Sequence, residues 1–168
     1  LNKRTKWNFR SEPQHSLSKE AVKKMLRKYD FYCSKHAFTE EYCNPQGNGI
    51  ANEFRVKKDG LIVVDEVTGL IWAQSESSEY MTYADAQGYI EELNQKNFAG
   101  YNSWRLPTLP EAMSLLANEL FYHGQYKFEH QPIIKTLKGD ENYVSLSNRI
   151  SRHIAPEFGF KKDRIWTS

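Results

Sequence analysis

The chain has 168 residues, of which 39% are apolar, 14% aromatic and 26% charged. That is long enough for one domain with a real core, too short for two ordinary ones, and too rich in Phe, Tyr and Trp for a disordered chain. The net charge of +2 divides unevenly: residues 1–28 hold nine Lys or Arg against Glu12 and Glu20, and the remainder holds 14 against 19. A basic end therefore precedes an acidic body. The longest apolar runs, such as Leu61-Ile62-Val63-Val64, fall far short of the roughly 20 residues of a membrane span, so no such span is expected. Residues 1–7 lack an apolar signal core, but the chain opens on Leu1, so a leader removed earlier stays open and localisation is unassigned.

In chain order, Ser18 is placed to cap a helix in which Ala21, Val22, Met25, Leu26 and Tyr29 recur at helical spacing. Lys19, Lys23, Lys24, Arg27 and Lys28 fall on its other face, and this stretch predicts a basic helix docked by one apolar stripe. Residues 30–52, with Asn44-Pro45-Gln46-Gly47-Asn48-Gly49, read as a loop or long turn rather than an element. Two β-patterned runs, Phe54 to Lys58 and Leu61 to Asp65, flank Asp59-Gly60 and predict a hairpin. Thr68-Gly69 turns the chain again into Leu70-Ile71-Trp72.

Thr82 with Asp85 approximates a capping box, and Tyr83, Ala86, Ile90 and Leu93 line one face of a helix ending near Asn94. Trp104 to Leu106 is expected as a short strand. Thr108 with Glu111 forms a second capping box, with Pro110 in the first turn of a helix carrying Ala112, Met113, Leu115 and Leu116. Residues 119–150 lose the pattern and predict an irregular excursion. Trp104, Leu106, Leu115 and Trp72 are expected in the core. The organisation expected is a basic extension with one helix over 1–52 and an α+β domain over 53–168.

Motifs for chemistry are sparse. Cys33 and Cys43, with nine residues between them, are candidates for a disulfide in an oxidising compartment and for thiols in a reducing one. With His36 they offer three zinc donors but no fourth, and His123 and His130 are distant, so no metal or cofactor is assigned. There is no phosphate-cradling glycine loop, no Gly-x-Ser-x-Gly elbow and no His-Glu-x-x-His, and the expectation is a protein without catalysis. The rival reading is an enzyme or metal site using Cys33 and Cys43. Trp72, Trp104 and Trp166 suit a sugar-stacking platform, but their apolar neighbours favour core packing. Arg105 alternates away from Trp104 and Leu106 and is expected to pair with Asp65, Glu111 or another carboxylate. Lys19, Lys23, Lys24, Arg27 and Lys28 form the candidate anion-binding set, weighed against a merely solvated face.

Several separately spaced segments carry a likeness to one bacterial family. They are Val63-Val64-Asp65, Thr68-Gly69-Leu70 and Trp72; Ala84-Asp85-Ala86 and Leu93-Asn94; Phe98-Ala99-Gly100-Tyr101; Trp104-Arg105-Leu106-Pro107-Thr108 with Glu111 and Leu115; and Ile165-Trp166-Thr167-Ser168. Together they resemble the Lcl C-terminal domain family, a domain of unknown function, and Leu17 to Tyr32 resembles an extension found in some members. The resemblance implies a C-type-lectin-like fold related to sulfatase-modifying factors, with a small twisted antiparallel sheet flanked by two helices and, here, an extra N-terminal helix. It implies a binding role in adhesion, glycan or polyanion recognition, or receptor display. Sulfatase-modifying relatives rely on late cysteines, which this sequence lacks, and the Glu-Pro-Asn loop and Trp-Asn-Asp strand of calcium-dependent lectins are missing too. Members continue past the Trp-Thr/Ser-Ser strand, so this chain is expected to be truncated and to leave an open sheet edge. A protein partner or a second copy would pair there. The partners considered are thus a protein, a glycan or a polyanion, with nucleic acid or an anionic surface on the basic helix as the less favoured reading.

Overall fold

The structure, a computed structural model, describes residues 7–14, 16–33, 42–74 and 81–118, and the backbone strands 121–125 and 149–152. It is α+β: a small three-stranded antiparallel sheet, a separate strand pair and a few helices.

Helix α1 spans Lys19–Lys28, and the Ser18 hydroxyl accepts the Ala21 N–H at 3.2 Å. Its end is a Schellman turn: the Phe31 N–H reaches the Leu26 carbonyl at 2.9 Å and the Asp30 N–H reaches Arg27 at 3.3 Å. Asp30 takes the left-handed conformation this turn needs, at φ 52°. Leu26 and Phe31, 3% and 0% exposed, form one core cluster with Ile50. Around them pack Trp7, Phe9, Val22, Met25 and Tyr29 of the extension and Val67 and Met113 of the body. The cluster thus crosses the boundary expected at 52/53. The stretch after Asp30 is tied down rather than loose: Cys33 and Asn44 exchange backbone hydrogen bonds at 3.2 and 2.9 Å, and the Asn44 side chain donates to the Phe31 carbonyl at 2.8 Å.

Strands β1 (Phe54–Lys57), β2 (Ile62–Asp65) and β3 (Ile71–Ala73) form the sheet in that order, all antiparallel. Phe54 faces Asp65 and Lys57 faces Ile62, the register a two-residue turn at Asp59-Gly60 demands. Both turn residues have positive φ, 53° and 87°, as in a type I′ hairpin, and the Leu61 N–H closes onto Lys58 at 3.0 Å. Lys58 also turns left-handed (φ 55°), so β1 ends one residue earlier than its pattern suggests. Ile62 and Val63 point to opposite faces and are both buried, which makes β2 the spine of the sheet.

Helix α2 spans Tyr83–Gln95 under a reciprocal capping box between Thr82 and Asp85. Ala86 and Leu93 are buried, whereas Tyr83, expected on the same face, stays 41% exposed at the first helical position. A 3-10 turn at Phe98–Gly100 follows. Trp104 to Leu106, expected as a strand, is not one: the Asn94 side chain accepts from the Trp104 N–H at 2.6 Å and donates to its carbonyl at 2.9 Å. A side-chain amide therefore does what a neighbouring strand would do. Helix α3 spans only Leu109–Met113, and i-to-i+3 hydrogen bonds carry the winding on to Leu116.

Leu115 is buried at 2% exposure, while Trp72, Trp104 and Leu106 are half-buried. The excursion expected over 119–150 is bounded by structure at both ends: β4 (Phe121–Gln125) pairs antiparallel with β5 (Arg149–Arg152), with a register shift between the Tyr122 and Gln125 pairs, and residues 126–148 lie outside the described residues. Phe121-Tyr122 and Ile150 are strand formers in a sequence that is otherwise patternless there. The expected Ile165–Ser168 strand, and any open edge on it, lies outside the described residues.

Candidate functional site

Helix α1 carries the candidate site. Its Lys19, Lys23 and Arg27 follow one another at i, i+4, i+8, and Lys24 and Lys28 form a parallel row, so cations recur about every 6 Å along the axis. Lys19, Lys24, Arg27 and Lys28 are exposed and Lys23 is half-buried. An open cleft of about 500 Å³ is lined, among the described residues, by Glu20, Lys23, Lys24, Arg27 and Lys28. Four of the five expected cations therefore meet in one place, and Lys19 sits on the same helix outside it. Lys28 Nζ donates to the Tyr29 hydroxyl at 3.2 Å, and that hydroxyl donates to the Asn8 carbonyl at 3.4 Å.

Such a face opposes helix formation, because each like-charged i, i+4 pair is unfavourable by about 0.2–0.5 kcal/mol and ten residues are too few for a stable isolated helix. What holds α1 is its other stripe, since Val22, Met25, Leu26 and Tyr29 all belong to or pack on the core cluster. Glu20 in the first turn and Arg27 and Lys28 in the last also complement the helix dipole.

Cys33 and Cys43, the other expected pair, lie close together but out of step. The bridge sets Asn44, not Cys43, opposite Cys33. Both are thiols in the structure. Burial pushes the Cys33 thiol above its ordinary value, more than the Asn44 backbone hydrogen bond lowers it, and the neighbouring Cys43 adds to the rise. The shift favours the neutral thiol over the more nucleophilic thiolate. Among the described residues no group of three His, Cys, Asp or Glu side chains could hold a metal ion, and His36 and His130 lie outside those residues.

Two polar knots are buried more deeply than the sequence patterns suggest, and the first was not foreseen. Asp65, fully buried, accepts from the Val67 N–H (3.0 Å), the Glu53 N–H (3.4 Å) and the Thr68 hydroxyl (2.5 Å), which fixes the turn between β2 and β3. The Asp65-x-x-Thr68-Gly69 spacing was its signal. Glu111, 3% exposed, takes the Arg105 guanidinium in a two-pronged pair at 2.7 and 2.6 Å and the Thr108 N–H at 2.8 Å. Of the partners expected for Arg105, Glu111 is the one found. Burial pushes the Glu111 carboxyl up, but the Arg105 and Thr108 hydrogen bonds together outweigh it and hold the group below its ordinary value. The buried Thr108 hydroxyl donates to the Arg10 carbonyl at 2.7 Å, linking this knot to the extension. Trp104 is fully engaged as a packing residue, with its ring against Phe98 and Tyr101 and its N–H on the Phe98 carbonyl at 3.1 Å. Trp166 lies outside the described residues.

No helix among the described residues is long and apolar enough to cross a membrane. No curated protein and no solved structure matches the chain. A family model does match, the Lcl C-terminal domain, over residues 61–167, which includes the Asp65 turn, the Trp104 clamp and the Arg105–Glu111 knot. With well over half its length matched and the matching motifs occupied as structural knots, the chain belongs to the Lcl C-terminal domain family.

Proposed function

We propose that the protein is a non-catalytic recognition module, with a lectin-like arrangement of its sheet and helices, that docks extended polyanions on the basic face of α1. The observation that supports this most is the division of labour on α1. Its apolar stripe is committed to the core cluster, and its cations line an open cleft in which, among the described residues, Glu20 is the sole carboxylate. A basic amphipathic helix that inserts into a bilayer needs its apolar face free, and here that face is occupied. What remains is electrostatic, and a periodic anion matched to a row of cations about 6 Å apart suits it better than a lipid surface.

The test uses the full chain with polyphosphate, a sulfated polysaccharide and phosphatidylserine vesicles as probes. The reading expects the two linear polyanions to bind with affinity falling steeply with salt, at a log–log slope of roughly −3 to −4 for five cation contacts. Reversal of Lys23 and Arg27 to Glu abolishes binding, and vesicles bind weakly. Salt-independent binding, or binding indifferent to the reversal, contradicts the reading.

A further inference from the structure

The end of α1 is latched to the body through Asp30, Asn48 and Gly49. The Asn48 carboxamide donates to Asp30 Oδ2 at 2.6 Å, the Asn48 backbone N–H reaches the same oxygen at 3.3 Å, and the Gly49 N–H donates to the Asp30 carbonyl at 2.9 Å. Gly49 in turn bridges to Ala117. It has φ 70°, and a Cβ there would meet the Leu116 carbonyl oxygen at 2.7 Å, so position 49 admits only glycine. The carboxylate of Asp30 asks for a donor at position 48. Two local demands thus place Asn before Gly, the dipeptide in which a backbone nitrogen unhindered by a following side chain reaches the carboxamide carbon.

We propose that Asn48-Gly49 is a deamidation site that the docked extension guards and whose modification prevents α1 from re-seating. In the reaction the Gly49 nitrogen gives up its proton and attacks Asn48 Cγ. The N–Cγ bond forms, the Cγ–Nδ2 bond breaks, and Nδ2 leaves as ammonia with that proton. Water then opens the five-membered imide at one of its two carbonyls, leaving aspartate or isoaspartate at 48, with no oxidant or reductant required. Asn48 is exposed, so water has access.

In the latched state the attacking N–H is engaged by the Asp30 carbonyl and the carboxamide is pinned by the Asp30 carboxylate. The negative charge of that carboxylate also opposes deprotonation of the neighbouring amide. Once the amide has become a carboxylate, two anionic acceptors face each other where a donor met an acceptor, and no proton lies between them. Each opening that leads to modification is thereby recorded irreversibly.

The experiment incubates the full-length chain in mildly alkaline ¹⁸O-water, native and in denaturant, and follows residue 48 by peptide mapping. The unfolded midpoints of Asn48→Asp and of Asp30→Asn/Asn48→Asp are measured in parallel. Modification is expected roughly tenfold or more slower in the native chain than in the unfolded one, because it waits on the same opening that exposes the core. Asn48→Asp lowers the midpoint, and adding Asp30→Asn restores it, because asparagine also accepts the left-handed conformation at position 30 and returns a donor–acceptor pair. Equal rates in native and unfolded chains overturn the proposal. So does an unchanged midpoint for Asn48→Asp, or a double variant no more stable than the single one.

Discussion

The extension and the family-matched body are held together by different physics. On the extension side the contacts are aromatic and apolar: Phe9 meets Tyr29 edge-on at 5.3 Å and Phe31 at 5.8 Å, and all three lean on Leu26 and Ile50. On the body side the fixed points are polar, with Asp65, Thr108, Glu111 and Ser114 all buried and hydrogen-bonded. The first kind of contact is indifferent to pH and tolerant of small shifts in position; the second depends on protonation state and on distances of a few tenths of an ångström. Yet the two are joined. Val67 and Met113 complete the apolar cluster, the Asn52 side chain donates to the Ser114 carbonyl at 2.7 Å, and the Thr108 hydroxyl reaches Arg10. The family match begins at residue 61, but the physical core begins at Trp7.

The largest expected effect strikes the apolar side. Phe31→Ala removes a fully buried ring and should lower stability by about 3–5 kcal/mol, measured as a denaturant midpoint at constant slope. If the joint is real, β2 unfolds together with α1 in that variant. Next comes Gly47→Ala. Its new Cβ would lie 2.3 Å from the Phe31 carbonyl oxygen, a backbone atom, and the expected loss is about 1–3 kcal/mol.

On the polar side Glu111→Gln leaves Arg105 without its carboxylate and should cost about 1–3 kcal/mol at neutral pH. Because the folded Glu111 carboxyl sits below its ordinary value, its contribution is fully present above the ordinary glutamate range. It is lost as pH falls through the depressed value, that is, below about pH 4. The variant should therefore flatten the acid limb of a stability–pH curve, which Phe31→Ala leaves intact. The smallest effect is a gain: Ala99 holds φ 53° without being glycine, and Ala99→Gly should raise stability by up to about 1 kcal/mol in a thermal melt.

Much of this was legible in the sequence where a pattern is local. The Ser18 cap, the Thr82/Asp85 box and the Asp59-Gly60 turn each need only neighbouring residues, and each is found. The basic row of α1 was legible for the same reason. What was not legible depends on partners far apart in the chain. Asn94 replaces a neighbouring strand for Trp104, Arg10 presents a carbonyl to Thr108 across 98 positions, and Asp30 recruits Asn48. Asp30 and Asn94 stand at the ends of α1 and α2, and nothing in their spacing announces the groups they hold. The Cys33–Cys43 spacing left a disulfide and two thiols equally open, and it did not announce the bridge that sets Asn44 opposite Cys33.

Native-state hydrogen exchange tests most directly whether the extension and the body are one cooperative unit. The amides to compare are Phe31, bonded to Leu26 at the end of α1, and Asp65, bonded to Leu70 beside β2. Both should exchange through the same global opening, with equal free energies and the same dependence on denaturant. Early exchange of Phe31, at a markedly lower free energy while Asp65 stays protected, would show α1 to be a separately melting appendage and contradict the account.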